Sequence, residues 1–557
     1  MASPSWKQWS MAVAGVAALA LTAVGLGSAT VSASSAQVVH FSFSSNIQTL
    51  DPTQWSNMAA MYPMQEIYDT LVEYNRDTTA LQAGLASHWA ISSDGKTYTF
   101  YLKPGIKFSN GDPVTAQDVI YSLNRVTMGN ASASGAAPYG FAYSDIVGYN
   151  AWFNKGNAPP AGMTGMSGVT SPSPDVVQIH LATPQAFFLN ELALMSAVVL
   201  DPKVVQKYGA NYELHAIGTG PYKLARWNQG HQMVLVPNTT SWRYIKGEPE
   251  VIMDENVSPD LAMLRYQRGA YDFVWGPLPS EIYAKILASP KLKQQYHNVP
   301  ENGVVYLAFN TTKPPFNNVY MRQAVNYAIN KQILLKDITN NRAVLMTQPL
   351  PPGIAGYNST ITNPYPYSPT LAKQLLKKGG YKGQPITFIY LSSNTDYTRT
   401  AEMIQTDLQA IGMNVSISGT SEIGNYAGMK HNVAGNWNIA WTDWFQDYPD
   451  AQDFLYNLLS KEAFGATNVG DWTNPTFEKL VTTADALPAS QQAQRIADYK
   501  QAEQIAVKQA AWAFLYTEWN DALIQPWVKP QGTHNDLMIY LHPVKTPQFE
   551  YMIVSPH

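Results

Sequence analysis

Pro385-Ile386-Thr387-Phe388-Ile389-Tyr390-Leu391 is a short run rich in β-branched and aromatic residues. After it, Ala401, Ile404, Leu408 and Ile411 recur at helical spacing up to Gly412, and Val415-Ser416-Ile417-Ser418 alternates again. The spacing predicts strands over 385–391 and 415–418 with a helix over 396–411 between them. A strand, a crossover helix and a second strand form the unit of a parallel sheet with helices on its faces.

The same alternation extends outward from this unit. Toward the N-terminus, Ser368 is placed to cap a helix with Pro369 in its first turn and Leu371, Ala372, Leu375 and Leu376 as its buried stripe, ended by Gly379-Gly380. Before it come a strand over 304–310 and a helix carrying Ala324, Val325, Ala328 and Ile329. In the first half of the chain, strands are expected over 38–50, 96–102, 106–108, 175–181 and 233–236. Thr115 caps a helix there, with Asp118 completing a capping box. Residues 130–175, rich in Ala, Ser, Gly and Pro, read as a surface excursion. Gly218-Thr219-Gly220-Pro221-Tyr222 marks a tight backbone passage.

With 557 residues, the chain has room for two to four packed units at roughly 150 residues each. Apolar residues make up 45%, aromatic residues 12% and charged residues only 14%, a composition opposite to that of a disordered chain. The net charge of −4 offers no basic excess for nucleic acid. There is no cysteine, which removes disulfides, thiol catalysis, iron–sulfur clusters and Cys-ligated zinc. The first thirty-six residues have the layout of a secretory signal: Lys7, an apolar stretch over 11–26, then small residues with cleavage expected after Ala33 or Ala36. An uncleaved anchor is the alternative, since the stretch is only slightly short of about 20 residues. The chain is therefore expected outside the cytoplasm, in a periplasm or at the cell exterior. Without a cysteine at the cleavage site, it cannot be anchored as a lipoprotein.

Several runs resemble the large extracytoplasmic solute-binding proteins of ABC importers, the family that takes up oligopeptides, dipeptides and nickel chelates. They are Leu85-Ala86-Ser87-His88-Trp89, Ser93 to Phe100, Gly111 to Val119, Gly218 to Tyr222, Tyr306 to Asn310 with Pro315-Phe316 and Arg322-Gln323-Ala324, Ala401 to Gln405, and Trp444 to Asp450. The resemblance implies a two-lobed α/β fold like that of periplasmic binding proteins, hinged by chain crossovers. It places a signal peptide over 1–36, lobe I over 37–302 with an added subdomain at about 73–180, lobe II over 303–520, and a return to lobe I over 521–557. It also implies a monomer that hands its ligand to ABC permease subunits in the membrane, without a cofactor and without chemistry on the ligand.

Two places have physical reasons to hold that ligand. In Trp441-Thr442-Asp443-Trp444-Phe445-Gln446-Asp447-Tyr448, Asp447 stands where the family's peptide-binding members place the acid that pairs with the ligand's α-amino group. Trp441, Trp444 and Tyr448 offer flat apolar surface for variable side chains, while Asp443, Asp450 and Asp453 read as solvated turn acids. Arg399 sits at the start of the helix after Leu391, beyond a strand's carboxyl end, where a cation and free N–H groups converge on a carboxylate. Trp55 and Asn57 follow a strand end and are candidates for the facing lobe. The ten histidines, among them His88, His180, His215 and His231, lack metal-ligand spacing, and no His-Glu-x-x-His, Gly-x-Ser-x-Gly or P-loop is present. The reading is a receptor for short peptides. An oligosaccharide or metal-chelate receptor, a secreted hydrolase, and a sensor or chaperone without transport are its rivals.

Overall fold

Strand Pro385–Leu391 pairs in parallel with Asn414–Thr420, Pro385 opposite Asn414 and Leu391 opposite Thr420. Helix Thr395–Ala410 crosses between them with Ala401, Ile404 and Leu408 buried. Asn394 caps that helix by accepting from the Asp396 N–H, and Gly412, at φ +98°, turns the chain after it. The computed structural model describes residues 37–555 except 56, 76–79, 132–136, 277, 393, 421–436, 465–466, 518 and 531–547. The expected signal segment and its cleavage sites therefore lie outside the described residues.

The βαβ unit belongs to a five-stranded sheet in the order 414–420, 385–391, 439–445, 303–309, 512–516. The sheet is mixed, not wholly parallel as the alternation suggested. Gly303–Phe309 runs antiparallel to both Ile439–Phe445 and Trp512–Tyr516. Periodicity marks a strand, but the connection fixes its direction, and these strands are not joined by a simple crossover helix. Gly303–Phe309 is buried along its whole length because both faces are covered. Val305, Leu307 and Phe309 pack with helices Val319–Ala328, Pro369–Lys378 and Thr395–Ala410, while Val304, Tyr306 and Ala308 pack with helices Ala451–Leu459, Pro475–Asp485 and Gln492–Lys508.

The N-terminal part is built on two smaller sheets. One is ordered 38–42, 250–254, 232–237, 222–228. The other is ordered 86–91, 97–102, 176–180, 169–173 and is backed by helix Ala116–Thr127, whose N-terminus carries the expected Thr115–Asp118 capping box. Residues 106–108 form an isolated bridge from Lys107 to Pro113, not the expected strand. The region 130–175 is also not a mere excursion. Tyr143, Ile146, Tyr149, Trp152, Met166 and Val169 are buried in this lobe's core. These few anchors are spaced among small residues, so average composition hides them.

The chain leaves and re-enters this lobe side by side. Strand Trp519–Ile524 pairs antiparallel with Phe273–Gly276 and with Tyr296–Pro300, so Pro300 faces Trp519 just where the chain crosses to Gly303 and returns after Tyr516. Buried Arg342 clasps this crossing, donating to Asp521 at 2.6 Å and to the Leu278 carbonyl at 2.8 Å. Farther along, Phe549, Met552 and Val554 close the first lobe's core.

The Gly218–Tyr222 passage is tight for a steric reason. A Cβ on Gly218 would lie 2.0 Å from the Ile67 carbonyl oxygen, and one on Gly220 would lie 2.3 Å from that of Glu66. Gly218→Ala therefore forces the segment leading into strand Tyr222–Asn228 away from helix Met58–Ile67. We expect a loss of about 1–3 kcal/mol in denaturant unfolding, against no loss for Ala at Gly105, where nothing lies within 4 Å of the added carbon, beyond the strain of its φ of +76°.

A candidate ligand seam between the lobes

The turn between strand Ile439–Phe445 and helix Ala451–Leu459 is held by two buried acids. Asp450 is the helix N-cap, accepting from the Gln452 N–H at 2.9 Å. Its carboxylate is clasped by Arg495 of helix Gln492–Lys508 through two bonds of 2.7 and 2.5 Å. Asp453, 0% exposed, accepts from the Asp447 backbone N–H at 2.9 Å, from Trp444 Nε1 at 3.4 Å and from Asn457 Nδ2 at 3.4 Å. Asp450 and Asp453 are thus structural groups of the interior and not the solvated acids the sequence suggested. An N-cap aspartate followed by an acid in the first turn is the local pattern that points to the first of these roles.

So fixed, the turn points Asp447 at the other lobe. Its Oδ1 accepts from the Tyr139 hydroxyl at 3.4 Å. Tyr139 lies flat against Trp55, centroids 4.5 Å apart and planes within 8°. Trp55 is buried, and its Nε1 has no hydrogen-bond partner among the described residues. Tyr448, next along the turn, inserts into the first lobe's core, parallel to Phe187 at 6.3 Å, with its hydroxyl on Gln452. The Arg495 guanidinium lies 5.4 Å over the same Phe187 ring.

The seam is acidic and largely buried, with Asp447 and Tyr139 themselves half-buried. Burial raises Asp447 to about 7, against the partial opposing effect of the Tyr139 hydroxyl. Burial, and then the charge of Asp447, hold Asp453 well above the usual carboxylate range. On the facing lobe, burial and then the charges of Asp145, Asp450, Asp485 and Asp453 do the same to Glu191. Each is a desolvation effect: a carboxylate without water or a cation beside it holds its proton.

The remaining candidates separate clearly. Trp444 remains partly exposed at the seam, tied to Asp453. Trp441, 0% exposed, is sealed in the sheet's core against Tyr397 at 4.5 Å and offers no free face to a ligand, because alternation along the strand puts it on the covered side. Asn57 caps helix Met58–Ile67, accepting from the Ala60 N–H at 3.0 Å and donating to the Asn46 carbonyl at 3.3 Å, so its amide is committed to backbone. Arg399, with 43% of its side chain exposed, bonds Asp396 at 3.2 Å and the Asp337 carbonyl at 3.0 Å. Asp396 in turn accepts from Ser280 of the first lobe's side, through N–H at 3.1 Å and hydroxyl at 2.9 Å. Arg399 is therefore placed near a crossing between lobes but is already held by a carboxylate. Tyr139, Glu191 and Arg495 were not singled out in the sequence. Tyr139 lies in a stretch whose small residues drown its signal, and the other two lie far along the chain from the turn they serve.

Among the described residues no set of three side chains is arranged to hold a metal ion, and no helix is long and apolar enough to cross a membrane. The family model for bacterial extracellular solute-binding proteins, family 5 Middle, matches residues 80–466. Heme-binding protein A of Haemophilus influenzae is 29% identical over 487 residues, covering 84% of each chain. The dipeptide-binding protein of Escherichia coli is 29% identical over 465 residues, covering 80% of this chain and 82% of its own. Among solved structures, the ABC transporter-associated periplasmic binding protein DppA of Helicobacter pylori, in complex with the peptide STSA, superposes with a TM-score of 0.77. It is 26% identical and covers 93% of this chain and 98% of that one. A two-lobed α/β body with a returning C-terminal strand, matched by this family model over most of its length, belongs to the bacterial extracellular solute-binding proteins of family 5.

Proposed function

We propose that this protein is the exported receptor of an ABC importer. It captures short peptides between its lobes and delivers them, chemically unchanged, to permease subunits in the membrane. It acts as a monomer, with lobe I formed by residues 37–302 and 521–557 and lobe II by 303–520. Relatives named for dipeptides and a neighbour solved with a bound peptide support the peptide class. A relative named for haem keeps a second ligand class in view.

One observation carries the reading. Asp447 projects from lobe II onto Tyr139 of lobe I, which is stacked on Trp55, and Arg495, the guanidinium that meets this turn, is committed to Asp450. An acid in that setting suits a ligand that brings its own positive charge, such as a peptide's α-ammonium, because exclusion of water strengthens the pair. Trp444, still partly exposed, would line the same space with surface tolerant of different side chains, whereas Tyr448 is buried in the first lobe's core and offers little of its ring. Closure follows because the ligand touches both lobes only in the closed arrangement, which gives it the differential affinity a population shift requires.

Calorimetric titration with di- and tripeptides, their N-acetylated forms, haem and cello-oligosaccharides tests the class. Free-amine peptides are expected to bind. Asp447→Asn is expected to weaken them by at least thirtyfold, in line with the roughly 2–5 kcal/mol lost when one partner of a buried charge pair is removed, and N-acetylation should cost as much. Binding of haem or sugar with no response to peptides would overturn the reading.

Arg399 is proposed as a contact for the ligand's carboxylate. Arg399→Ala should lower affinity for peptides with a free C-terminus more than for their amides. Its stability should stay within about 1 kcal/mol of the parent, as expected for a half-exposed ion pair. Equal losses for both ligand forms would assign Arg399 to the Asp396 clasp alone.

A further inference from the structure

We propose that closure of the two lobes is coupled to proton uptake at Asp447, and that a ligand's ammonium group takes the place of that proton. The second half rests on the peptide reading above. The first half needs only the two-lobed fold.

The argument begins with an inventory of charge at the seam. Lobe II contributes Asp447, Asp450 and Asp453 from the turn and its helix, Asp485 from helix Pro475–Asp485, and Arg495 from helix Gln492–Lys508. Lobe I contributes Glu191 from the short helix Phe188–Glu191, with Asp145 beyond it. Among the described residues the other titratable groups facing this space are Tyr74, Tyr98, Tyr139, Tyr143, Tyr448, Tyr456 and Tyr499. They are neutral hydroxyls: Tyr74 is bonded to Asn190 at 3.0 Å, Tyr143 to Ser196 at 2.7 Å and Tyr499 to Asp485. Among the described residues the only cation in this set is Arg495, and Asp450 takes both arms of its fork. Glu191 Oε2 and Asp485 Oδ2 are buried without a hydrogen-bond partner among the described residues. Carboxylates of both lobes thus converge on a volume in which the described residues place one cation, already neutralised.

An ionised carboxylate in such a place costs several kcal/mol unless a positive charge joins it. Asp447 is the member of the set that closure itself enfolds. Its partner across the seam is the Tyr139 hydroxyl of the other lobe, and its neighbour Tyr448 enters that lobe's core. Parting the lobes takes away Tyr139 and brings water, so that Asp447 titrates as an ordinary aspartate near 3.9. In the closed arrangement burial holds it at about 7. The group binds its proton more tightly closed than open. Closure is therefore favoured in full below the open-state value and loses that advantage as the pH rises through neutrality, with the closure constant falling about tenfold per pH unit inside the window. An ammonium ligand removes the penalty by another route, since it lets Asp447 stay ionised with the lobes shut. The proton and the ligand's charge are alternatives for one site.

Small-angle scattering of the protein without added ligand, from pH 8 to pH 5, tests this directly. The radius of gyration is expected to fall as the pH is lowered, with its midpoint between the open and closed values. Asp447→Asn, which is neutral at every pH, is expected to scatter as the compact form at pH 8 and to show no further change. A radius that is the same at pH 8 and pH 5, in protein whose circular dichroism is unchanged, would overturn the proposal; so would an Asp447→Asn variant that keeps the parent's pH response. Titration with Ala-Ala in two buffers of different ionisation enthalpy supplies an independent reading. Up to one proton should be released on binding at pH 6. At pH 8, where Asp447 is already largely ionised and a free α-amine with a pKa of about 8 must gain a proton to bind as ammonium, protons should be taken up. Equal release at both would count against the exchange of proton for ammonium. Failure of Ala-Ala to bind at either pH would count against the peptide reading, while the scattering would still decide whether closure takes up a proton.

Discussion

The two-armed bond between Arg495 and Asp450 organises the second lobe's contribution to the seam. Taking both charges out of water is favourable only because the geometry lets the guanidinium fork meet both carboxylate oxygens and the Asp450 side chain also caps a helix. That pair ties helix Gln492–Lys508 to the start of helix Ala451–Leu459, which fixes the turn ahead of it. Asp453 completes the turn by holding the Asp447 N–H and the Trp444 indole together. Asp447 can then project toward Tyr139 instead of folding back on its own lobe. With Arg495 held on Asp450, no cation among the described residues is bonded to Asp447, so the turn presents an acid that a ligand's charge can meet.

Much of this scaffold could be read from the chain because it is written locally. The Thr115–Asp118 box, the Ser368–Pro369 start and the stop at Gly412 each need only a few neighbouring residues, and each stands where its spacing placed it. Gly218 and Gly220 were legible as a tight passage, although the obstacle, the carbonyls at Ile67 and Glu66, is a helix far away in sequence. The mixed direction of the five-stranded sheet was not legible. It depends on the direction in which the chain enters that sheet at Gly303 and leaves it after Tyr516, and no period of two or 3.6 encodes that.

The site was half legible, for the same reason. A conspicuous run of aromatic and acidic residues drew attention to Asp447, but equal weight for Trp441 and Trp444 ignored the strand's alternation. Odd positions 439 and 441 enter the core shared with helix Thr395–Ala410, while Trp444 belongs to the opposite side, where Asp453 reaches it. Tyr139 escaped notice because its neighbours are Ala, Gly and Pro, although its ring is what meets both Trp55 and Asp447. A residue that matters through a partner three hundred positions away has no local signature.

The seam is not alone among the described residues in burying more acid than base. In lobe I, Arg243 bonds Asp69 at 3.0 Å and Glu550 at 3.1 Å, with Glu66 and Glu73 lining the same cavity. Burial, and then the charge of Glu550, push Glu66 well above the usual range, and burial pushes Glu73 to about 7 and Glu248 to about 8. Asp51 shows the opposite balance, since burial there is outweighed by two 2.6 Å bonds from Arg125 and its carboxyl is lowered. The difference is stoichiometric. One arginine for one acid lowers a pKa, whereas one arginine shared among several acids leaves the surplus to be protonated. Groups of the second kind contribute stability that is present below their unfolded values and lost as the pH rises through their folded ones. The acids behind the C-terminal residues Phe549 and Glu550 and the acids between the lobes therefore respond to pH in the same sense. The same condition that firms the attachment of the returning chain also draws the lobes together.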